Sequence, residues 1–429
     1  MRKRKQTLII GAGLAGLAAA YRLRSGYRLL ERRDKPGGLC DTVEDSGFRF
    51  DRTGHLLHLS RPRIRRLVLN LLDEEPLSLE RRSRIFLSGV YTHYPFQANT
   101  FGLPKDVVAE CLTGFIRATA GKVRAKKKNV TFEDFILEHF GAGIAKYFMI
   151  PYNTKLWGVH PREITSGWCS RFVPIPSADE VVAGAIGLAQ EKMGYNARFL
   201  YPRTGIEELP NAFARKVRSI EYGAVPKAID FRQRRMRVAG EWVPYRAVIN
   251  TIPLKSLVKL LVNPPRKIAD AAEKLRCSSL RYLDVALNRP AGTDYHWSYV
   301  PERKYPFYRV GCYSNFSSEM APRGKSNLYV ELASRGPIKL DKLMPRVATG
   351  LIEMGIIKKA SDIAFARPRL LKHAYVVYDM HYEKVVPRLH SWLAEQRIFC
   401  CGRYASWEYS AMEDALVQGI DAADKVKEL

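Results

Sequence analysis

Residues 7 to 10 form a β-branched apolar run, TLII, that stops at Gly11; Gly13 and Gly16 follow, and LAAAYRLR then takes up helical character. A second run, YRLLER, ends near Glu31. Strand, glycine turn, helix and strand thus succeed one another within about thirty residues, the frame of a dinucleotide-binding βαβ unit. From about 104 to 190 the pattern turns helix-rich, with amphipathic segments such as TFEDFILEHFGAGIAKYF at 131 to 148. Residues 196 to 260 mix a helix near ELPNAFARKV with paired strands around RRMRVAGEWVPYRAVINTIP, and Gly240 stands at the hairpin turn. Strand-like runs dominate 278 to 378 (YLDVALN, YRVGCYS, NLYVELAS, YVVY), with one helix near 339 to 355. A last strand, RIFCCG, leads into a helix at about 412 to 427, and no internal repeat stands out.

Composition narrows the class. The 429 residues leave room for roughly two or three compact domains. With 46% hydrophobic and 26% charged residues, generic disorder and a fibrous class are excluded. The longest apolar stretches, at 66 to 72 and 247 to 252, fall far short of a bilayer span, so no transmembrane segment is expected. The start, MRKRKQTLIIGAG, lacks the cleavage site of a signal peptide, and a cytoplasmic protein is expected. Seven cysteines (40, 111, 169, 277, 312, 400 and 401) form no C-x-x-C pair and read as reduced, mostly buried thiols. The net charge of +27 would attract nucleic acid, an anionic surface or a phosphorylated small molecule. Its densest run, KVRAKKK at 122 to 128, reads as a solvated face, and no nucleic-acid motif accompanies it, so no specific nucleic-acid partner is expected.

The glycines carry the first chemistry. Gly11 permits a tight turn, Gly13 lets a pyrophosphate approach the backbone, and Gly16 lets helix and strand pack closely. Glu31 falls where an acid would accept hydrogen bonds from a ribose. Downstream, ERRDKPGGLC (31 to 40) and SGFRFDRTGHLLH (46 to 58) add a Gly-Gly doublet and a Gly-His pair, which points to FAD over NAD. Arg32, Gly37, Gly38, Leu39, Gly54 and His55 are assigned to the cofactor on this basis. Gly402 and Arg403, on a strand entering the last helix, would return the chain to the cofactor. The expected fold is α/β: a discontinuous Rossmann-type FAD-binding domain (1–100, 196–262 and 392–429), a helical insertion domain (101–195) and a mixed or antiparallel substrate-sheet domain (263–391).

Further islands carry a resemblance: YPFQ-N at 94 to 99, GLPK at 102 to 105, TF at 131 to 132, GIA--FM-PYN-K-W at 143 to 157, W--R at 168 to 171, PFYR at 306 to 309, SNF at 314 to 316 and GR--SW-Y at 402 to 409. With them the chain resembles the UDP-galactopyranose mutases, the eukaryotic type above all, with the amine oxidase and porphyrinogen oxidase flavoproteins as more distant relatives. The resemblance implies a flavoenzyme that isomerises a UDP-sugar, UDP-galactose first, between pyranose and furanose. The chemistry it implies runs on reduced FAD through an adduct of flavin N5 with the sugar, with no net redox change and with NAD(P)H as a possible priming reductant.

The same resemblance implies a site. Arg171 and Arg309 match a diphosphate clamp, where planar guanidinium forks suit phosphate oxygens. Tyr299, Tyr375 and Tyr409 match tyrosines that donate to the diphosphate. Tyr94, Phe96, Gln97, Phe148, Tyr152 and Asn153 match a uridine pocket, while Trp157, Asn196 and Trp297 match further substrate contacts. His55 matches a histidine on a loop beside the isoalloxazine, with the Gly54 carbonyl facing N5; it joins Arg171, Arg309, Tyr375 and Tyr409 as a catalytic candidate. His55 and His58 are three apart, but no third ligand is apparent in the sequence and no metal is expected. Two features depart from the family pattern. Thr53 stands where the mutases generally carry glycine, and the stretch after Tyr409 is replaced by Ser410, Ala411, Met412, Glu413, Asp414 and Ala415, whose acids read as helix-dipole partners. The alternative left open is an FAD-dependent oxidase or desaturase acting on a nucleotide-sugar or another anionic substrate.

Overall fold

The computed structural model describes residues 5–120, 130–188, 193, 197–334 and 336–429. The basic run at 122 to 128 and Asn196 lie outside the described residues.

The apolar run at the start becomes the centre of a parallel sheet because it has no polar face to offer water. Leu8, Ile9 and Ile10 are buried. Gln6–Ile10 pairs in parallel with Tyr27–Leu30 on one side and with Glu241–Asn250 on the other. Glu241–Asn250 in turn pairs in parallel with Ile398–Cys400, so strands from three distant parts of the sequence lie side by side. Its antiparallel extension, Arg235–Val238 and then Ala228–Asp230, turns at Ala239 and Gly240, both with positive φ, as the hairpin pattern predicts.

Between the first two strands runs the helix Leu14–Leu23, and the last helix, Met412–Lys427, packs along it. The two backbones meet through small residues. A Cβ on Gly419 would sit 2.1 Å from the Ala15 carbonyl oxygen, and one on Gly16 would sit 1.9 Å from that of Gly11. Both distances are below any van der Waals contact, so these positions admit only glycine.

The second sheet is mixed and has seven strands. Ile363–Val376, Cys277–Leu287, Ser326–Leu332, Phe307–Cys312 and Trp297–Tyr299 run antiparallel in that order. Ser83–Leu87 then joins Trp297–Tyr299 in parallel and carries Val90–His93 as the edge. Residues 83–93, expected in the first cofactor segment, therefore add to this second sheet. Their apolar alternation fits either sheet, and only the pairing with Trp297–Tyr299 decides.

The helical region contains Lys105–Thr119, Phe132–Ile144, Ile150–Trp157, Cys169–Phe172 and Ala178–Ala185. Thr131 caps its helix in a capping box with Asp134. The amphipathic run at 131 to 148 is not one straight helix. Gly141, at φ 74°, breaks it where the chain crosses the Lys105–Thr119 helix, and a π-helical turn over Ala145–Met149 leads into Ile150–Trp157. Among the described residues no helix is long and apolar enough to cross a membrane.

Replacing Gly419 by valine is expected to push the first and last helices apart. The cost is of order 1–3 kcal/mol for overpacking, read as a lower urea midpoint together with lower retained flavin. An unchanged midpoint would show that the helices do not meet as described.

Candidate active site

The cofactor end is assembled from the glycine turn and the doublet. Gly13 and Gly37 form an isolated bridge, and the Gly37 N–H donates to the Ala12 carbonyl at 2.9 Å. The buried Glu31 carboxylate accepts from the Ala12 N–H (2.8 Å) through one oxygen and from the Arg33 N–H (2.9 Å) through the other. Gly402 abuts Ala15 and donates its N–H to Gln418 at 2.7 Å. Leu39 is half-buried, whereas Arg32 is exposed and lies near His373. Close backbone approach at Gly13 and an oriented carboxylate at Glu31 form a cradle that suits the ADP part of FAD.

Arg309 lies on Phe307–Cys312, and the neighbouring strand brings up Glu331. The pair is forked: Nε to Oε2 at 2.9 Å and Nη2 to Oε1 at 2.5 Å. Glu331 is 0% exposed. Burial is the largest single influence and disfavours the guanidinium charge, but Glu331 together with Tyr375, Tyr329 and Tyr152 holds the Arg309 pKa well above its ordinary value. The Arg309 guanidinium also lies over the Tyr329 ring, 6.0 Å from its centroid.

Beyond Arg309 stands a stack of tyrosines. Tyr375 and Tyr409 are parallel with centroids 5.9 Å apart, and Trp157 packs on both, at 5.5 and 6.2 Å. Arg403 covers Tyr409 at 4.6 Å and donates to the Ser410 and Ala374 carbonyls, which places it at this tyrosine stack. Burial pushes the Tyr375 hydroxyl pKa up, so it keeps its proton and remains a donor. The indole nitrogen of Trp157 is buried without a hydrogen-bond partner among the described residues. An acceptor on a bound molecule would satisfy it.

Arg171 lies one ring removed from the stack. Its guanidinium lies over Phe172 at 5.1 Å, and Phe172 meets Tyr409 edge-on at 4.8 Å. The side chain is 55% exposed, and Nη2 reaches both carboxylate oxygens of Asp414, at 2.8 and 3.0 Å. Asp414 also accepts from the Ala411 N–H and caps the last helix, while Glu413 accepts from the Ser60 hydroxyl and the Arg61 N–H, each at 2.7 Å. These acids do more than answer a helix dipole. They clip the far end of the His55 loop and hold Arg171.

The expected base pocket is a continuous aromatic run. Tyr94 stacks on Tyr299 at 5.2 Å, Tyr152 meets Tyr299 at 5.2 Å and Phe148 at 5.2 Å, and Phe148 stacks on Phe96 at 5.0 Å. Trp297 meets Tyr299 edge-on at 6.5 Å. The amide nitrogens of Gln97 and Asn153 are committed to the main-chain carbonyls of Pro174 (2.9 Å) and Met149 (2.7 Å). Asn153 thus serves its own helix, whereas Gln97 ties its turn to the segment at Pro174.

The His55 loop reaches the cluster from the cofactor side. A Cβ on Gly54 would lie 2.4 Å from the Tyr329 hydroxyl, so only glycine lets this loop lie against Tyr329, whose ring carries Arg309. Thr53 sits in the left-handed region at φ 69°, the conformation for which a glycine would be the unstrained choice. His55 Nδ1 lies 3.3 Å from the Thr53 carbonyl, which fixes the proton on Nδ1 and leaves Nε2 as an acceptor. Burial, aided by the Arg403 and Arg309 charges, lowers its pKa to about 4. Among the described residues no group of three His, Cys, Asp or Glu side chains could hold a metal ion.

Sequence reasoning missed Glu331, Tyr329 and the Arg171–Asp414 contact. A signal for Glu331 exists: in NLYVELAS a lone acid interrupts an otherwise apolar strand, and such an acid needs a cation.

Arg309→Ala should cost about 3–5 kcal/mol of stability, because Glu331 is left buried and unpaired. Thermal unfolding checks this, and adding Glu331→Gln should restore part of the loss. A separate expectation concerns pH. The unfolded chain protonates His55 near its ordinary value of 6.5, but the folded chain refuses that proton until about 4. Its contribution to stability is thus complete above 6.5 and is lost as pH falls to about 4. The imidazole resonances should hold neutral-state positions down to about pH 5, and a midpoint near 6.5 would contradict this environment.

A sequence profile of flavin-containing amine oxidoreductases matches residues 14–427. The ζ-carotene-forming phytoene desaturase of Myxococcus xanthus is 23% identical over 432 residues, covering 85% of this chain and 80% of the desaturase. Protoporphyrinogen oxidase 2 of Arabidopsis thaliana is 24% identical over 162 residues, covering 34% of this chain and 32% of the oxidase. Among solved structures, a reduced UDP-galactopyranose mutase superposes with a TM-score of 0.92 at 26% identity, covering 99% of this chain and 96% of the mutase. The architecture is accordingly that of FAD-binding enzymes of this type, a Rossmann-type cofactor domain with inserted domains. The chain belongs to the flavin-containing amine oxidoreductase family.

Proposed function

We propose that the protein is a flavin-dependent isomerase interconverting the pyranose and furanose forms of a UDP-sugar, with UDP-galactose the first candidate and NAD(P)H the reductant that primes it. The observation that carries this reading is the meeting of Arg309, Tyr329 and the Gly54–His55 loop, which brings a fixed guanidinium up against the cofactor loop. The full-length superposition on a mutase supports it. Reduced FAD, when bound, supplies the nucleophile for a reaction without net oxidation.

The chain's own residues would bind and orient the nucleotide. The uracil lies against the faces of Tyr94, Tyr152 and Tyr299, where stacking needs no particular edge. Arg309 meets the diphosphate already oriented by Glu331, so no side-chain entropy remains to be lost on binding. Tyr375 donates its hydroxyl proton to a phosphate oxygen, and the Trp157 indole N–H takes a sugar or phosphate acceptor. Arg171 has Nε and Nη1 for the ligand while Nη2 stays on Asp414. Neutral His55 offers Nε2 as an acceptor beside the reacting sugar.

The second reading is an FAD-dependent oxidase or desaturase on an anionic substrate. It is favoured by the desaturase among the sequence relatives and by the acids at 413 and 414, which stand in the stretch that departs from the mutase pattern.

Dithionite-reduced enzyme incubated with UDP-galactopyranose should yield the furanose, read by NMR of the sugar ring, without consuming oxygen or reductant in proportion to turnover. Stoichiometric oxygen or hydride consumption would favour the second reading. Arg309→Lys keeps the charge but loses the planar donor set that Glu331 orients, and with it the N–H left for the ligand. UDP should then bind about tenfold to a hundredfold more weakly, as expected for losing one charge-assisted hydrogen bond, with flavin content intact. Unchanged UDP binding would remove Arg309 from the clamp.

A further inference from the structure

Lys155 lies in the last turn of the Ile150–Trp157 helix and is 9% exposed. A lysine this deep needs acceptors, and four main-chain carbonyls supply them. Its Nζ donates to the carbonyl oxygens of Val300 (3.2 Å), Glu302 (2.5 Å), Tyr305 (3.2 Å) and Phe307 (2.9 Å). Three N–H bonds serve four acceptors, so at least one is shared.

Three of the four carbonyls belong to one irregular connection, the segment that joins Trp297–Tyr299 to Phe307–Cys312, and the fourth, that of Phe307, opens the second of these strands. Irregular backbone taken out of water leaves carbonyls that must find donors. The ammonium provides them at a single point. The connection's outer side is held separately, by the Ser88 N–H on the Glu302 carboxylate (3.2 Å) and by the Tyr305 hydroxyl on Glu353 (2.5 Å).

Val300 directly follows Tyr299, and Phe307 is two residues before Arg309. On the other side, the helix that carries Lys155 also carries Tyr152, whose ring meets Tyr299 at 5.2 Å, and Trp157, which packs on Tyr375. The helix and the connection therefore face each other across the aromatic run. The ammonium bonds to backbone on the far side, so it sets a distance between two pieces of main chain. A compact ammonium can radiate donors to several carbonyls, whereas a planar guanidinium cannot converge on four of them.

We propose that Lys155 is a positioning residue that fixes Tyr299 and Arg309 relative to Tyr152 and Trp157 and so sets the width of the nucleotide cleft. This rests on the UDP-sugar reading above. It assigns to one residue of the PYN-K-W island a task that neither base stacking nor phosphate contact requires.

The test uses the FAD holoenzyme and UDP. Lys155→Met should raise the UDP dissociation constant about tenfold, with flavin content unchanged. In an Arg309→Lys background the same substitution should add little, because Arg309 is already impaired. Lys155→Gln, which keeps amide donors and is less disruptive to folding, should shift UDP binding in the same direction by a smaller factor. Unchanged UDP affinity in either variant overturns the proposal, as does a loss that adds in full to that of Arg309→Lys, the outcome expected of a purely structural lysine. If wild-type holoenzyme binds no UDP, the UDP-sugar reading fails, and hydrogen exchange then decides the positioning role. Faster exchange confined to residues 299–309 in Lys155→Gln supports it, and unchanged exchange there overturns it.

Discussion

Arg309 keeps a positive charge inside the protein because Glu331, on the adjoining strand, meets it with both carboxylate oxygens. The seven-stranded sheet keeps this register around that pair: shifting Phe307–Cys312 by one residue would turn Arg309 to the other face and leave Glu331 with nothing to neutralise it. The pair is formally neutral, so attraction for a dianionic ligand does not come from net charge at this point. It comes from N–H groups held ready in a dry place, and from Arg403, whose guanidinium is bonded to carbonyls and covers Tyr409. This division separates orientation, supplied by the neutral pair, from long-range attraction, supplied by the strongly basic chain.

The acids at the start of the last helix show how a local departure from a family pattern can be absorbed. Glu413 holds Ser60 and Arg61, at the end of the loop that begins beside the cofactor, and Asp414 holds Arg171. One helical turn thus joins the cofactor loop to a cation at the edge of the tyrosine stack. The chemistry proposed for the cleft has to work with Arg171 already engaged, which gives Arg309 the larger share of any diphosphate contact.

Much of the fold was legible because the local pattern and the tertiary outcome agree. TLII followed by three glycines could hardly be anything but a buried parallel strand entering a helix, and the Gly240 hairpin and the last strand and helix formed where their sequences indicated. What was not legible depends on partners distant in sequence. Ser83–Leu87 joined the second sheet because Trp297–Tyr299 offered an edge, which no local pattern records. Gln97 and Asn153 looked like nucleotide-reading amides because they interrupt an aromatic run, yet their nitrogens serve nearby carbonyls. Lys155 was visible as a letter in a motif, but its meaning lies in four carbonyls some hundred and fifty residues away.

The contact between the first and last helices extends to Arg22 and Asp424, 402 positions apart in the chain. During synthesis the opening βαβ unit therefore emerges long before the surface that covers it, and Ile398–Cys400 and the closing helix arrive only after the whole inserted region has been made. Nascent chains must pass through a stage in which an alanine-rich helix face is bare.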